Sequence, residues 1–495
     1  MTTATTEPTV PAASPDQPPR PTAARAVGPL SPEYRAVTIG MVALVALSAF
    51  EALAVTTTMP TVVAALGGIG LYAMAFAGPL ASGVVGMVAA GGWADRRGPA
   101  APLFTGVALF VAGLVIAGTA ATMGVLVSGR VVQGLGSGML TVALYVVVAR
   151  VFPDGLRARV FALFAAAWVL PSVVGPLIAG LISQHLGWRW VFLSVPVLVV
   201  PAVLILRPAL RRSSQPDEDL PDDDAPAAPA GSSPAPSAPP ASSFDRPRLL
   251  RALGAGTGVL ALHVAGQQRG LAAVLVGLAG LALLAGTVPG LLPRGTLRAA
   301  RGLPAVIVVR GLLGAAFFGA EVYLPLLFTT ERGLSPSQAG LALTAAALTW
   351  STGSWLRGRY DGRWDDRTVL RVGCASIALG VGFAALAIWP AFPVAASLAG
   401  WGAAGLGMGL TYPMLSLLTL RLSEPEEQGV NTSALQLNES LAAAAVLAAS
   451  GPVFAALVAN DATPAAYLTC FAVSALLAAT AAAVAGRILP ADTGR

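Results

Sequence analysis

Residues 123–149 read MGVLVSGRVVQGLGSGMLTVALYVVVA, and residues 394–420 read VAASLAGWGAAGLGMGLTYPMLSLLTL. Each stretch is long enough to cross a bilayer core as a helix, for which about 20 apolar residues suffice. Each holds a run of alternate glycines, Gly134, Gly136 and Gly138 in the first and Gly405, Gly407 and Gly409 in the second, 271 residues apart. Such runs admit close helix approach. They are not phosphate loops, because no Lys follows and they lie deep in apolar sequence. Trp93-Ala94-Asp95-Arg96 recurs at the same offset as Trp364-Asp365-Asp366-Arg367, and Glu51 has Glu321 at the matching place. Three matches at nearly one offset mark an internal repeat. Parallel six-span repeats place a substrate site between the halves, near the bilayer midplane.

The rest of the chain fits that reading. Of 495 residues, 55% are hydrophobic and only 11% charged, and the mean hydropathy is +0.73. Soluble domains carry nearer 25% charge, so a water-soluble enzyme of this length is excluded. The expected fold is all-α and polytopic, because the apolar runs are about 20 residues long rather than alternating segments of about 10. Fourteen spans are expected, near 36–63, 70–91, 102–121, 123–149, 159–184, 190–207, 250–267, 270–292, 304–330, 337–356, 370–389, 394–420, 429–458 and 465–486. They divide the chain into a tail (1–35), a six-helix bundle (36–207), a linker (208–249), an inserted pair (250–293), a second six-helix bundle (304–487) and a short tail (488–495). The inserted pair could also be re-entrant. The linker holds an acidic cluster, Asp217 to Asp224, then a Pro/Ala/Ser tract, and its composition marks a solvated segment.

All 30 basic residues are arginine. With the N-terminus inside, 25 of them fall on the cytoplasmic side and three outside (Arg189, Arg269, Arg332). The positive-inside rule then predicts cytoplasmic tails at both ends; the membrane expected for the whole reading is the cytoplasmic (plasma) membrane of a bacterium. The same placement in short loops argues against nucleic-acid binding, despite a net charge of +6. The two cysteines, Cys374 and Cys470, lie in apolar runs and cannot form a four-ligand zinc site. No metal is expected.

The sequence resembles the major facilitator superfamily, and within it the fourteen-span drug:proton antiporter branch. The loop Gly91-Gly92-Trp93-Ala94-Asp95-Arg96-Arg97-Gly98 is similar to a family signature, without the basic pair that usually follows. Arg130, Gln133, Gly134, Gly136 and Gly138 resemble the second family motif. Pro171-Ser172-Val173-Val174-Gly175-Pro176 resembles the start of the antiporter motif, with Pro171 where Gly is usual. Glu51 stands where that branch places an Asp, with Leu53 and Thr56 replacing its Thr and Asn. The resemblance implies proton-coupled export of amphiphilic small molecules by alternating access. Gly91, Asp95, Arg96, Gly98, Gly175 and Pro176 would then serve conformational gating, Asp95 and Arg96 through a breakable charge contact and Gly175-Pro176 through a bend that seals the cavity.

The residues support candidate roles of their own. A charge at the bilayer centre costs roughly 2.5–3.5 kcal/mol, so it must be paired, neutralised or facing water. Glu51 is the first choice for the proton-coupling carboxylate, on a face shared with Ser48 and Thr58. Arg130 is its modulator, and the alternative is a fixed ion pair locking two spans. Glu321 is either a second proton site, a contact for a cationic substrate, or a carboxyl kept neutral by hydroxyls. Arg310 is too far along the helix to pair with Glu321 and is expected to snorkel at a membrane end. Thr432, Ser433, Gln436, Glu439 and Ser440 share a face that lines a cavity or bonds a neighbouring helix; Asn438 falls off it. Tyr145 and Trp168 are expected in the cavity wall, and His263 in packing.

The function expected is therefore a secondary active transporter without enzymatic activity or cofactor. Its partners are a small-molecule substrate, protons and the bilayer, and it works as a monomer. The rivals are a lipid or metabolite transporter or importer of the same superfamily, and a membrane receptor signalling through its acidic linker.

Overall fold

A computed structural model describes residues 28–212, 246–360, 363–424 and 427–488. The acidic cluster, the Pro/Ala/Ser tract and most of both tails lie outside the described residues. The first half comprises α1 (Arg35–Leu66), α2 (Met74–Arg97), α3 (Ala100–Gly118), α4 (Met123–Val151), α5 (Asp154–His185) and α6 (Arg189–Arg212). The inserted pair is α7 (Arg246–Gln267) and α8 (Leu271–Thr287). The second half comprises α9 (Leu303–Glu321), α10 (Leu324–Thr330), α11 (Pro336–Arg359), α12 (Asp366–Ala385), α13 (Val394–Arg421), α14 (Gln428–Ala459) and α15 (Thr463–Val484). No strand occurs among the described residues. All-helical spans follow from the solvent, since every backbone N–H and C=O must be satisfied internally in hydrocarbon.

Helices α9 and α10 are one span with a break, set by Pro325 near the start of α10. Counted so, thirteen spans among the described residues are long and apolar enough to cross a membrane. The fourteenth, α11, falls short because its sequence is rich in Ser, Thr and Gly. Part of that polarity, Ser351 and Ser354, faces an internal cavity. The start of α11 is fixed by a capping box between Ser335 and Gln338.

The halves pack alike. In the first, α4 packs on α2 and α3, and α1 on α5 and α6. In the second, α13 packs on α11 and α12, and α9 on α14 and α15. The glycine runs make those crossings. A Cβ at Gly138 would stand 2.0 Å from the Gly83 carbonyl oxygen of α2, and one at Gly136 2.3 Å from the Phe110 nitrogen of α3. In the second half a Cβ at Gly409 would stand 2.1 Å from the Trp350 oxygen of α11, and one at Gly407 2.5 Å from the Gly373 oxygen of α12. Any side chain there would push the helices apart.

The inserted pair is two full helices rather than a re-entrant turn, joined at Gly270 with φ +63°. Helix α7 lies against α2 of one half and α14 of the other, while α8 packs on α7 and is otherwise largely exposed. His263 is buried on α7, 2.9 Å from the Gln267 side-chain nitrogen, and Gln267 in turn donates to the Gly70 carbonyl.

Candidate functional site

A cavity of about 940 Å³ lies between the halves. Its wall comes from α1, α2, α4 and α5 of the first half and α9, α11, α13 and α14 of the second. That volume lies in the range of small-molecule sites. Five charged side chains line it: Glu51, Arg130, Arg310, Glu321 and Glu439.

Glu51 and Arg130 are each 5% exposed. One terminal nitrogen of Arg130 donates to both the Glu51 carboxylate and the Gln133 side-chain oxygen. Its Nε donates to the Ala75 carbonyl at 3.1 Å. The guanidinium thus has acceptors on α1, on α2 and on its own helix. Of the residues expected beside Glu51, Ser48 bonds the Leu44 carbonyl and Thr58 is buried without a partner. Thr56 and Leu53 line the cavity instead.

The second half carries its own cluster, and here the expectation for Arg310 is corrected. Arg310 does not snorkel. It is 8% exposed, and its Nε donates to Glu439 Oε2 at 2.6 Å. Its guanidinium lies 3.5 Å from the Tyr412 ring centroid and bonds the Tyr412 carbonyl and Ser416 hydroxyl. Tyr412 donates its hydroxyl to the other Glu439 oxygen at 3.0 Å. The partner comes from α14, a helix that the distance along α9 could not reveal. Two glycines admit it: a Cβ at Gly314 would stand 2.8 Å from Glu439 Cγ, and one at Gly311 2.2 Å from the Asn438 amide nitrogen. Trp401, in the repeat position of Arg130, is fully buried and stacks on Phe317 at 4.6 Å.

Glu321 differs from both. It is half-buried, it is the last residue of α9, and it has no ion pair among the described residues. At the break just beyond it, the Val322 carbonyl accepts a hydrogen bond from Tyr72 of the first half at 2.7 Å. The Tyr72 and Tyr323 rings pack at 6.0 Å. Nearby, a Cβ at Gly180 would meet Ser337 at 2.5 Å, and one at Gly340 the Pro176 oxygen at 3.0 Å. These cross-half contacts gather at the end remote from the arginine-rich loops. Gln436, Glu439 and Ser440 of the α14 stripe line the cavity, whereas Ser433 bonds its own Gly429 carbonyl and Asn438 bonds Ile307 on α9.

Trp168 is in the wall and 47% exposed. Tyr145 is 46% exposed, lies within electrostatic reach of Arg310 and Glu439 of the wall, and packs edge-on to Phe161 at 5.3 Å. Of the gating residues, Gly98 caps α2 with φ +77°, a conformation that favours glycine. A Cβ at Gly91 would meet nothing within 4 Å. Asp95 and Arg96 are exposed at the end of α2. Gly175 faces Phe50, and α5 runs through Pro171 and Pro176 without a break. The related second-half residues differ locally: Asp365 caps α12 through the Thr368 N–H, and Asp366 pairs with Arg357 at 2.6 Å. The Thr368 N–H and hydroxyl hold the Asp365 carboxyl below its ordinary range.

Comparison with known proteins places this arrangement. The model of the Major Facilitator Superfamily matches residues 41–447.

The chain belongs to the major facilitator superfamily.

It is 28% identical over 408 residues to an uncharacterized superfamily-type transporter of Mycobacterium tuberculosis, covering 81% of this chain and 56% of that one. The chain therefore spans little more than half the length of that relative. It is 25% identical over 400 residues to a multidrug transporter protein of Bacillus subtilis, covering 78% and 69% of the two chains. Among solved structures it resembles a D-xylose-proton symporter, with a TM-score of 0.63 at 15% identity over 93% of this chain and 99% of that one. A peptide transporter bound to alafosfalin gives a TM-score of 0.62 at 14% identity over 91% and 94%. The structural likenesses show the fold, and the chain is a multi-pass membrane protein of this superfamily. Tyr412 and Tyr72 are residues that the sequence reading did not place, and Arg310 is one that it placed at a membrane end instead of beside Glu439. An arginine inside an apolar span was the signal for Arg310, since its cost demands a partner.

Proposed function

We propose that this chain is a proton-coupled exporter of amphiphilic small molecules, working by alternating access as a monomer. The observation that carries the reading is the Glu51–Arg130–Gln133 cluster in the wall of a drug-sized cavity between two repeated halves. Arg130 is the ion-pair partner of Glu51. Protonation of Glu51 releases the guanidinium, which keeps Gln133 and the Ala75 carbonyl as partners. Protonation thus removes the counter-charge of the guanidinium but not its hydrogen-bond partners.

The arginine bias puts both termini in the cytoplasm. The cross-half contacts at Tyr72, Gly180 and Gly340 then close the outer end, and this is the state that loads from inside. Rocking of the halves would expose the cavity outward. One proton crossing 100 mV supplies roughly 2.3 kcal/mol, enough for a gradient on the order of 50-fold per net charge. The similarity to a multidrug transporter supports export of drug-like compounds.

The test is proton-driven accumulation of cationic and neutral amphiphiles in inside-out vesicles. Accumulation that collapses with the proton gradient, and is lost in Glu51→Gln, supports the reading. Absence of gradient-dependent accumulation for every compound overturns it.

A further inference from the structure

Helix α7 carries a polar junction that the transport reading does not use. One turn before its outer end, His263 is 1% exposed. It lies where the two halves meet. A Cβ at Gly451 of α14 would stand 2.5 Å from the Ala73 Cβ at the start of α2, and 3.5 and 3.6 Å from His263 Cε1 and Nδ1. The Gln267 amide nitrogen is 2.9 Å from His263 Nε2 and 3.2 Å from the Gly70 carbonyl oxygen, in the turn between α1 and α2. An amide nitrogen only donates, so Nε2 accepts and the neutral ring carries its proton on Nδ1. The Ala448 and Gly70 backbones lie within reach of the ring, but Nδ1 is buried without a hydrogen-bond partner among the described residues.

No charge faces this ring. Arg251 on α7 and Glu439 on α14 are each 12 residues along from His263 and Gly451, about 18 Å at the helical rise. Helix α8 has no titratable residue, and the charges of α2 (Asp95, Arg96, Arg97) lie at its other end. Tyr72 donates to the Val322 carbonyl, and Arg269 and Asp461 are exposed on the turns beyond. Opening the outer end parts α2 from α14, and α7 can follow only one. A Cβ at Gly266 would meet the Pro452 side chain at 2.4 Å, so this end of α7 is fitted to α14. Its polar hold on the first half there is the Gln267–Gly70 bond. A second proton on the ring makes Nε2 a donor aimed at the Gln267 donor. The amide must then turn away, and its bond to Gly70 is lost. The charge also stands in apolar surroundings without an acid to pair it, a burial that opening relieves by admitting water.

We propose that His263 is a proton site at the outer seam between the halves, separate from the central cavity, and that a proton taken there releases α7 from the first half through Gln267. Acid on the outer side then favours the outward-open state. The proposal rests on the alternating-access reading and is independent of the role of Glu51.

The test follows spin labels at Ala65 and Glu331, exposed on opposite halves at the outer end, in the purified full chain without substrate or gradient. Histidine changes its charge between about pH 8 and about pH 5. Over that range the ratio of long to short distances should rise at least about fivefold, the lower end of ordinary site-to-site coupling. The rise should persist in Glu51→Gln and vanish in His263→Gln. Gln267→Leu, at an exposed position that does not threaten folding, should raise the long-distance share already near pH 8 and blunt the acid response. A native protein without the rise, or with a fall, overturns the proposal. So does a rise that survives in His263→Gln, one that vanishes in Glu51→Gln, or a Gln267→Leu protein that behaves as the native one. Proton-driven accumulation is not measured here, so failure of this site is distinct from failure of the exporter reading.

Discussion

Arg310 and Glu439, 129 positions apart and 2.6 Å apart in space, form a buried ion pair that does not repeat the Glu51–Arg130 pair of the first half. At the offset of 271 residues, Glu439 corresponds to Trp168 and Arg310 to Ile39, while Arg130 corresponds to Trp401. The two halves share their helix crossings but not their charges. The same net arrangement, one arginine bound to one carboxylate, has been reached from different helices.

Removing one partner of such a pair leaves an uncompensated buried charge, which costs about 3–5 kcal/mol, whereas apolar replacement of both can be neutral. Arg310→Ala should therefore lower the unfolding midpoint of the detergent-solubilised protein sharply. Arg310→Met combined with Glu439→Leu should recover most of the loss. A double variant as unstable as the single one would show that the pair itself, and not its imbalance, holds α9 to α14.

The glycine crossings separate in the same assay. Gly138→Ala sets a methyl 2.0 Å from the Gly83 oxygen, an overpacking worth about 1–3 kcal/mol, and folded yield should fall. Gly91→Ala meets nothing within 4 Å and should gain the helix preference of Ala, about 0.5–1 kcal/mol. The family signature at Gly91 is therefore not a packing requirement in this state.

The bond from Tyr72 to the Val322 carbonyl contributes about 0.5–1.5 kcal/mol to closure of that end, or roughly two- to tenfold in population. Tyr72→Phe keeps the ring beside Tyr323 and loses only the hydroxyl. Spin labels at Ala65 and Glu331, exposed on opposite halves at that end, should report a larger share of long distances in the variant. An unchanged distribution would remove the latch role.

Deleting residues 215–240 takes out the acidic cluster and much of the Pro/Ala/Ser tract. Such a segment has the composition of a solvated linker, and proton-driven accumulation should stay at the parent level. Loss of accumulation with normal folding would favour the receptor reading of this segment.

The fold was legible because hydrocarbon permits few solutions. Apolar length set the spans, and alternate glycines at one offset disclosed the repeat and both central crossings. The Glu51–Arg130 pair was legible because each residue sat in a recognisable span position. Arg310 and Glu439 were not, since their meeting depends on how α9 and α14 lean together across Gly311 and Gly314. Nor could the sequence say that the ring of Tyr145 would turn to Phe161, because helical periodicity fixes a face and not the neighbour that competes for it.

The glycines of α4 and α13 touch backbone, and Gly83, Gly134 and Gly138 of the first crossing also reach the cavity, whose side chains come largely from other positions. What holds each half together is thus written in backbone approach, and what decides which molecule it admits largely in side chains. Substitutions at Trp168, Gln436 or Phe318 can retune the cargo without loosening the blocks that move. A chain built this way can change its customers over generations while keeping its machinery, which is how one scaffold comes to serve many chemistries.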